Sequence, residues 1–440
     1  MPAEARTTAY VVLRRTFEHG AFTDRAFHRA AMGLHGRDRA FAMHLAYGAV
    51  QRVLTLDHLI EQCSGRPAAK IDAPLLAALR LGCYELCFAG SAPHAVVNDA
   101  VELAKGAHGH ALVNAVLRRL SREGPALIAA LDDDVPAAAS ICHSMPRWIV
   151  ELWWKALGPQ AARALLARAN EPAESSLRAN SLRTDVPGLV AALGAEGVRA
   201  SAAADPPEAV IVSGAFDAHG SALWRAGMLM PQSRASMLVA PCVAPTADER
   251  VLDLCAAPGG KTTHLAALMA GRGEVVAVER HAGRARALVR TAARMGAVNV
   301  RVETGDAGAA RRAGERFSRV LLDAPCSGLG TLQSRPDLRW RASPAAVQSL
   351  TAVQARLLSA AAAACAPGAT LVYSTCTISP AENEHQIAAF LDAHPEFVPT
   401  DLQARHPAWA HPHAADQLLA LGHVQGSDGF FIAAMVRTGG

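Results

Sequence analysis

The chain has 440 residues, of which 51% are hydrophobic and 5% aromatic, and its formal net charge is +4 at pH 7. This length exceeds what one hydrophobic core usually organises, so it predicts two or three domains. The hydrophobic content excludes an intrinsically disordered chain. The small positive charge is compatible with a nucleic-acid partner but does not require one.

The sequence shows no membrane, export or metal-binding signal. It lacks a run of about 18 apolar residues, and its N-terminus, with Glu4 and Arg6, lacks the apolar segment of a signal peptide. Its nine cysteines are an odd number without framework spacing, which indicates reduced thiols. We therefore expect a cytoplasmic, monomeric protein without a membrane or metal partner.

The first third of the chain has the hydrophobic period of α-helices. Apolar residues recur one turn apart over residues 9–17, and over residues 45–60 they form one face of a later helix. Three further helices are predicted at about 74–88, 93–105 and 111–121, separated by glycine and proline. The pattern predicts an all-α domain over residues 1–135, and residues 131–145 resemble its exit linker.

Residues 146–235 have a mixed pattern. Helical periods at 148–157 and 160–169 precede candidate strands at 176–180 and 210–213, with a helix at 186–193 between them. This order predicts a small α+β module. Trp148, Trp153 and Trp154 lie at helical spacing, which favours core packing over stacking on nucleic-acid bases.

Short apolar runs alternate with helical stretches in the remainder, residues 236–440. The runs lie at 251–254, 275–278, 300–303, 320–322 and 370–373, and the helical stretches include 283–295 and 345–365. This alternation predicts an α/β domain with a doubly wound parallel sheet, in which ligands bind beyond the carboxyl ends of the strands. Five reactive side chains lie at those ends: Asp253, Glu279, Asp306, Asp323 and Cys376.

A glycine-rich turn after the first of these strands is the candidate cofactor loop, with residues Cys255, Ala256, Ala257, Pro258, Gly259, Gly260 and Lys261. It is not a P-loop, because Cys255 stands where that loop needs a glycine and Pro258 lacks an N–H, and it does not fit G-x-G-x-x-G. Small residues let a ligand approach the backbone. Glu279 is placed for ribose hydroxyls and Asp306 for an adenine edge. A nucleoside without a pyrophosphate fits best, and S-adenosylmethionine is the common example.

Two cysteines stand in short motifs near later strand ends. Cys326 follows Asp323-Ala324-Pro325, and Cys376 follows Tyr373-Ser374-Thr375. Taken alone, Cys376 would be interpreted as a buried strand cysteine. Together, beside a cofactor loop, they suggest covalent chemistry on an electron-poor ring.

These motifs resemble those of a known enzyme family. The loop from Asp253 to Thr263, the Pro-Cys motif and the Thr-Cys motif are similar to those of RNA cytosine-5 methyltransferases. Residues 38–41, 92–98 and 113–119 resemble the NusB antitermination fold that precedes this catalytic domain in RsmB-type 16S rRNA methyltransferases. The resemblance implies a NusB-like RNA-binding domain, a Rossmann-like catalytic domain that uses S-adenosylmethionine, and rRNA, naked or in an early assembly intermediate, as the partner.

The resemblance also implies roles for the site residues. Cys376 is the nucleophile that adds to carbon 6, Cys326 assists its release, and Asp323 holds the cytosine edge close to the cofactor. A free thiol titrates near about 8.5, so Cys376 must be activated by its surroundings. Lys261 is expected to neutralise or orient a carboxylate near the cofactor.

Alternatives stay open for the substrate and for the RNA contacts. The same catalytic residues would serve tRNA or 23S rRNA, and an RNA-binding assembly or antitermination factor would need none of them. Three basic groups are candidates for phosphate contacts. They are Arg118, Arg119 and Arg122; Arg286, Arg290 and Arg294; and Arg335, Arg339 and Arg341, which follow the Pro-Cys motif.

Overall fold

A computed structural model describes residues 3–214, 216–308 and 315–439. The chain forms two compact units. The first extends to Pro172 and also includes Leu332–Arg341, and the second comprises Ala173–Thr331 and Ala342–Gly440. Among the described helices, none combines the length and the apolar character that crossing a membrane requires.

The first unit is helical, as the sequence pattern predicts. Its apolar faces bury a common core in which Leu45, Ile60 and Leu117 have no exposed surface. The helices up to Pro172 are α1 (Glu4–Glu18), α2 (Thr23–Ala30), α3 (Gly36–Gln51), α4 (Val53–Ser64), α5 (Ala73–Cys87), α6 (Pro93–Ala104), α7 (His110–Ala129), α8 (Pro136–Cys142), α9 (Arg147–Leu157) and α10 (Pro159–Arg168).

Two expectations for this unit were wrong. The helix predicted through residues 45–60 is two helices, because α3 ends at Gln51 and α4 begins at Val53. The apolar period continues across this break, so the pattern does not reveal it. Residues 131–145 are not a linker, because they include α8 and pack on α4: Thr55 donates its hydroxyl to the Ile141 carbonyl at 2.5 Å, and the Leu54 N–H donates to Ser144 Oγ at 3.0 Å.

The second unit begins with the sheet of the expected small α+β module, whereas the two helices predicted for this module at 148–157 and 160–169 lie in the first unit as α9 and α10. Its four strands pair antiparallel in the order β2-β3-β1-β4, around a core that contains Leu177, Leu189 and Val210. The sequence pattern misses strands β2 and β4, because β2 is mostly exposed and β4 spans only three residues. The elements are β1 (Ser176–Ala179), α11 (Val186–Ala195), β2 (Arg199–Ala202), β3 (Ala209–Ser213), α12 (Ala222–Arg225) and β4 (Leu229–Pro231).

A larger sheet with flanking helices follows. In chain order the elements are α13 (Arg234–Met237), α14 (Val239–Val243), β5 (Arg250–Leu254), α15 (Gly260–Leu268), β6 (Glu274–Glu279), α16 (Ala282–Met295), β7 (Val300–Thr304), β8 (Phe317–Asp323), α17 (Leu338–Arg341), α18 (Pro344–Ala364), β9 (Cys365–Thr375), α19 (Glu384–Ala393), β10 (Phe397–Pro399), β11 (Leu418–Ala420), α20 (Gly422–Gln425) and β12 (Phe430–Arg437). Of these, α17 belongs to the first unit.

The strand order is β10-β12-β9-β8-β5-β6-β7, and β11 pairs with β12. Strands β9, β8, β5, β6 and β7 run parallel, which confirms the doubly wound core. The sheet then continues with the antiparallel strands β12 and β10, which the sequence reasoning did not predict. Because parallel strands end at one edge, the sheet brings Glu279, Asp323 and the residues after β9 to the same side.

The segment Leu332–Arg341 packs inside the first unit through a buried arginine. Arg339 has no exposed surface, and its guanidinium donates to the carbonyl oxygens of Gln51, Ser144 and Ala169 at 3.1, 3.0 and 3.1 Å. The expectation that Arg339 contacts RNA phosphates was therefore wrong, because its side chain is fully buried and both terminal nitrogens of its guanidinium donate within the protein.

Candidate active site

The cofactor loop is a tight turn of small residues between β5 and α15. Cys255 and Gly259 have left-handed φ angles of 64° and 105°. A Cβ atom on Gly259 would lie 2.5 Å from Leu288 Cδ1, so the turn requires glycine there. The Ala256 N–H donates to the Val278 carbonyl at 2.9 Å, which fastens the loop to β6.

Asp253 lies fully buried within β5, immediately before the loop. Its Oδ2 accepts from the Thr262 hydroxyl at 2.6 Å, whereas its Oδ1 has no partner among the described residues. Burial raises the pKa of this carboxyl to about 7. A buried oxygen without a donor is rare in proteins, and here it is consistent with a polar ligand group beside the loop.

A buried arginine of the small module supports the loop. Arg178 on β1 has no exposed surface, and it donates to the Gly260 carbonyl at 2.6 Å and to Thr263 Oγ1 at 3.0 Å. It also donates to Gln232 Oε1 at 2.9 Å. Sequence reasoning missed Arg178, because its hydrogen-bond partners are distant in the chain. All four residues of its strand are buried, and the sequence pattern does not indicate this.

The two acidic residues expected to hold a nucleoside lie at the ends of β6 and β7. Glu279 is 3% exposed, and its Oε1 accepts from the His281 N–H at 2.8 Å. Its Oε2 lies 3.5 Å from Arg284 Nη1. Asp306 is more exposed and pairs with Arg356 at 3.3 Å. Glu279 is thus held rigidly near the loop, whereas Asp306 already has a cationic partner.

Asp323, at the end of β8, joins the cofactor loop to the cysteine motifs. Its Oδ2 accepts from Lys261 Nζ at 2.8 Å, and its Oδ1 accepts from the Ser374 hydroxyl at 2.9 Å. The Lys261 ammonium also lies 4.8 Å from the centre of the Phe430 ring. The structure therefore brings Lys261 to a carboxylate, in the arrangement predicted for this lysine.

The two motif cysteines are in contact. Cys326 Sγ and Cys376 Sγ lie 3.4 Å apart, beyond the ends of the adjacent parallel strands β8 and β9. The hydrogen bond with Cys326 lowers the pKa of Cys376, and Lys261 acts in the same direction, whereas burial and the Asp323 carboxylate oppose them. The same contact, together with burial, raises the pKa of Cys326. The pair therefore favours a thiolate on Cys376 and a thiol on Cys326.

Sequence reasoning also missed the polar residues around the two thiols. Gln354, Glu382 and Asn383 are fully buried, and Ser327 is partly buried. The sequence signal for this group was the acidic residue Glu382, which lies six positions after Cys376. One sequence does not distinguish such a glutamate from a solvated one.

The residues at this edge of the sheet fit the expected nucleoside. The loop offers backbone and small side chains, Glu279 offers a fixed carboxylate, and Asp253 offers an unpaired oxygen. The two thiols and the pair of Lys261 with Asp323 lie in the same unit. This combination can support nucleophilic addition to a ring next to a bound nucleoside.

Comparisons with known proteins agree along the chain. Residues 240–436 match the family described as 16S rRNA methyltransferase RsmB/F, residues 3–122 match the NusB family, and residues 145–219 match the RsmF/B-like ferredoxin-like domain. A Synechocystis protein described as a probable ribosomal RNA small subunit methyltransferase B is 36% identical over 98% of this chain and 99% of its own. A Bacillus subtilis protein with the same description is 35% identical over 92% of each chain. The crystal structure of PH0851 superposes with a TM-score of 0.81 at 25% identity and covers 99% of both chains.

Proposed function

The chain belongs to the RsmB/F family of 16S rRNA methyltransferases, and from this premise we propose that it methylates carbon 5 of a cytosine in 16S rRNA through a covalent adduct with Cys376. The observation that carries the proposal is the contact of Cys326 and Cys376, 3.4 Å apart, next to the strand that ends in Asp323. Two thiols with pKa values displaced in opposite directions suit one nucleophile and one assisting group.

The methyl donor of this enzyme is S-adenosylmethionine. We propose that the loop from Cys255 to Lys261 holds it, with Glu279 on the ribose and Asp306 on the adenine. When bound, this cofactor supplies an electrophilic methyl group attached to a positively charged sulfur. The rigid turn at Gly259 and the buried carboxylate of Glu279 support this assignment.

The first step activates carbon 5, which is a poor nucleophile in free cytosine. The Cys376 thiolate donates an electron pair to carbon 6, and the electrons of the 5,6 double bond become available at carbon 5. Negative charge also reaches ring nitrogen 3. We assign Asp323 to this edge of the ring, and Lys261, hydrogen-bonded to Asp323 at 2.8 Å, offsets the charge.

The last step reverses the addition. After methylation, carbon 5 carries both a hydrogen and a methyl group, so the proton must leave for the aromatic ring to return. Water accepts this proton, the electrons of the broken C–H bond re-form the 5,6 double bond, and Cys376 departs as a thiolate. We assign Cys326 to assist this elimination, because its sulfur touches the leaving sulfur.

The relatives' descriptions and the NusB match support small-subunit rRNA as the substrate. We propose that residues 1–135 bind this RNA, that residues 236–440 catalyse the reaction, and that residues 146–235 form the module between them. The exposed side chains of Arg118 and Arg122 on α7 are available for phosphates. The proposed setting is the cytoplasm, with the enzyme acting as a monomer on naked rRNA or an early assembly intermediate.

Transfer of labelled methyl groups from S-adenosylmethionine to unmethylated 16S rRNA tests the proposal. We expect one 5-methylcytosine in 16S rRNA, found by sequencing the product, and none in tRNA or 23S rRNA offered in parallel. Methylation of tRNA or 23S rRNA instead would reassign the substrate. Absence of transfer to any RNA by protein that binds the cofactor would favour a non-catalytic RNA-binding factor.

A further inference from the structure

The buried carboxylate of Glu382 is hydrogen-bonded to the residue after Cys326 directly and to the residue before it through Gln354. Glu382 has no exposed surface, and its Oε1 accepts from the Ser327 N–H at 2.8 Å while its Oε2 accepts from the Ser327 hydroxyl at 2.5 Å. The side-chain amide of Gln354 donates both to Glu382 Oε1 at 3.1 Å and to the Pro325 carbonyl at 2.9 Å. The residues before and after Cys326 are therefore tied to one polar group.

Asn383, the residue after Glu382, makes hydrogen bonds to the residues on both sides of Cys376. Asn383 is also fully buried, and its Oδ1 accepts from the Thr375 hydroxyl at 2.6 Å. Its Nδ2 donates to the Thr377 carbonyl at 3.0 Å. The residues before and after Cys376 are thus tied to Asn383.

Further hydrogen bonds connect the groups around Glu382 and Asn383. Ser327 Oγ and Thr377 Oγ1 lie 2.9 Å apart. Because the Ser327 hydroxyl donates to Glu382, it must accept its hydrogen bond from Thr377. The Tyr373 hydroxyl donates to the Glu382 carbonyl at 2.7 Å, which anchors the backbone of this glutamate to β9. The two cysteine-bearing loops consequently share one buried network.

From this arrangement we propose that Glu382 and Asn383 are positioning residues that fix the backbone around both cysteines and so keep their sulfur atoms in contact. Loops beyond strand ends lack a hydrogen-bonding ladder that would set their positions, and here buried side chains replace it. Contact between the sulfurs is required if Cys326 is to act on the same bond that Cys376 forms. The roles of the two thiols rest on the proposed function, whereas the positioning does not.

Oxidation of the two thiols measures their positioning without RNA. Diamide, a diazene oxidant, accepts the two electrons and two protons that the thiols release when an S–S bond forms. The sulfurs need to move from 3.4 Å to about 2.05 Å, so the wild-type protein should form this disulfide rapidly. Peptide mapping by mass spectrometry distinguishes the bond between Cys326 and Cys376 from others.

The variants separate geometry from charge. Glu382→Ala and Asn383→Ala each remove the hydrogen bonds that fix one cysteine loop. We expect each variant to form the disulfide about tenfold more slowly or slower still, because the rate of a reaction between two positioned groups falls steeply when they are displaced. Glu382→Gln should behave like the wild type, because the amide accepts from the Ser327 N–H and the hydroxyls of Ser327 and Thr377 can reverse their direction. Asp392→Asn, an exposed site on α19, is the matched control for loss of charge.

The same proteins are then assayed for methylation of 16S rRNA. We expect kcat to fall on the order of a hundredfold in the alanine variants while KM for RNA and the affinity for S-adenosylmethionine change little. Glu382→Gln should restore kcat. Should an alanine variant fail to bind the cofactor, Ser327→Ala removes the shared hydroxyl with little loss of packing and is judged by the same measurements.

The outcomes distinguish the two proposals. A wild-type disulfide rate in folded Glu382→Ala, or loss of kcat with an unchanged disulfide rate, would overturn the positioning role. A slowed disulfide in the alanine variants of a protein whose wild type methylates no RNA would support the positioning role and reject the proposed function.

Discussion

Replacing Arg178 tests whether the small α+β module supports the cofactor loop. Arg178→Met keeps the length of the side chain and removes all its donors. The Gly260 carbonyl and the Thr263 hydroxyl, at the start of α15, then lose partners at 2.6 and 3.0 Å. Gln232 Oε1 is the third acceptor affected, because it loses the Arg178 donor that lies 2.9 Å away.

The structure sets the size of the effect. Each hydrogen bond from a charged donor contributes roughly 1.5–3 kcal/mol, and buried acceptors left without a donor add a desolvation cost. Contributions within one network do not add, so the loss of stability should be about 3–5 kcal/mol. If the equivalent of one such bond fixes the loop for ligand binding, the affinity for S-adenosylmethionine should fall roughly ten- to a hundredfold.

Calorimetric titration of folded Arg178→Met with S-adenosylmethionine measures the binding effect, and denaturant unfolding measures stability. Arg199→Met on strand β2 of the same sheet is the control, because Arg199 is exposed. Arg178→Lys should recover little, since a single ammonium cannot reproduce the planar fork of donors. Wild-type affinity in Arg178→Met would refute the idea that this arginine shapes the loop.

Three further predictions follow from the site. Glu279→Ala should weaken S-adenosylmethionine binding by roughly ten- to a hundredfold in calorimetry, and Asp306→Ala by less because Asp306 is more exposed and already paired, with RNA binding unchanged in both; unaltered affinity in both would reject the assignment. Cys376→Ala should abolish methylation and any covalent complex, whereas Cys326→Ala should accumulate a protein–RNA adduct that survives denaturing electrophoresis, and the reverse pattern would exchange their roles. Burial raises the pKa of Asp253 to about 7, above its unfolded value of about 3.9, so the folded state binds more protons between these pH values. The free energy of unfolding should therefore fall by up to about 4 kcal/mol as the pH rises through this range. Urea unfolding at pH 5 and pH 8 should show that Asp253→Asn loses this component, and an unchanged pH dependence in the variant would contradict the shifted pKa.

The parts of the fold that the sequence predicts are those set by local patterns. Apolar runs and glycine-rich turns placed β5 to β9 and the cofactor loop near their observed positions, since a buried parallel strand and its following turn leave strong composition signals. Short strands such as β2, β4 and β10 carry weaker signals, whereas β12 is an eight-residue apolar run that was missed although its pattern is clear. The break between α3 and α4 is invisible because the apolar period continues through it.

The functional residues divide in the same way. Lys261 and Asp323 stand in recognisable motifs, and the structure pairs them at 2.8 Å. Arg178, Arg339 and Glu382 were missed or misjudged because their partners are distant in the chain, and a charged residue in one sequence is more often solvated than buried. Their burial becomes understandable only when the acceptors that surround them are known.

The contacts form a continuous path from the small module to the strand that precedes Cys376. Arg178 holds the carbonyl of Gly260, and the next residue, Lys261, pairs with Asp323. The other oxygen of Asp323 accepts from Ser374, two residues before Cys376. Because Asp323 raises the pKa of Cys376 and Lys261 lowers it, a shift of the cofactor loop would change the electrostatic surroundings of this thiol through both residues. Under the proposed function, this path connects the loop assigned to the methyl donor with the thiol assigned to attack the base.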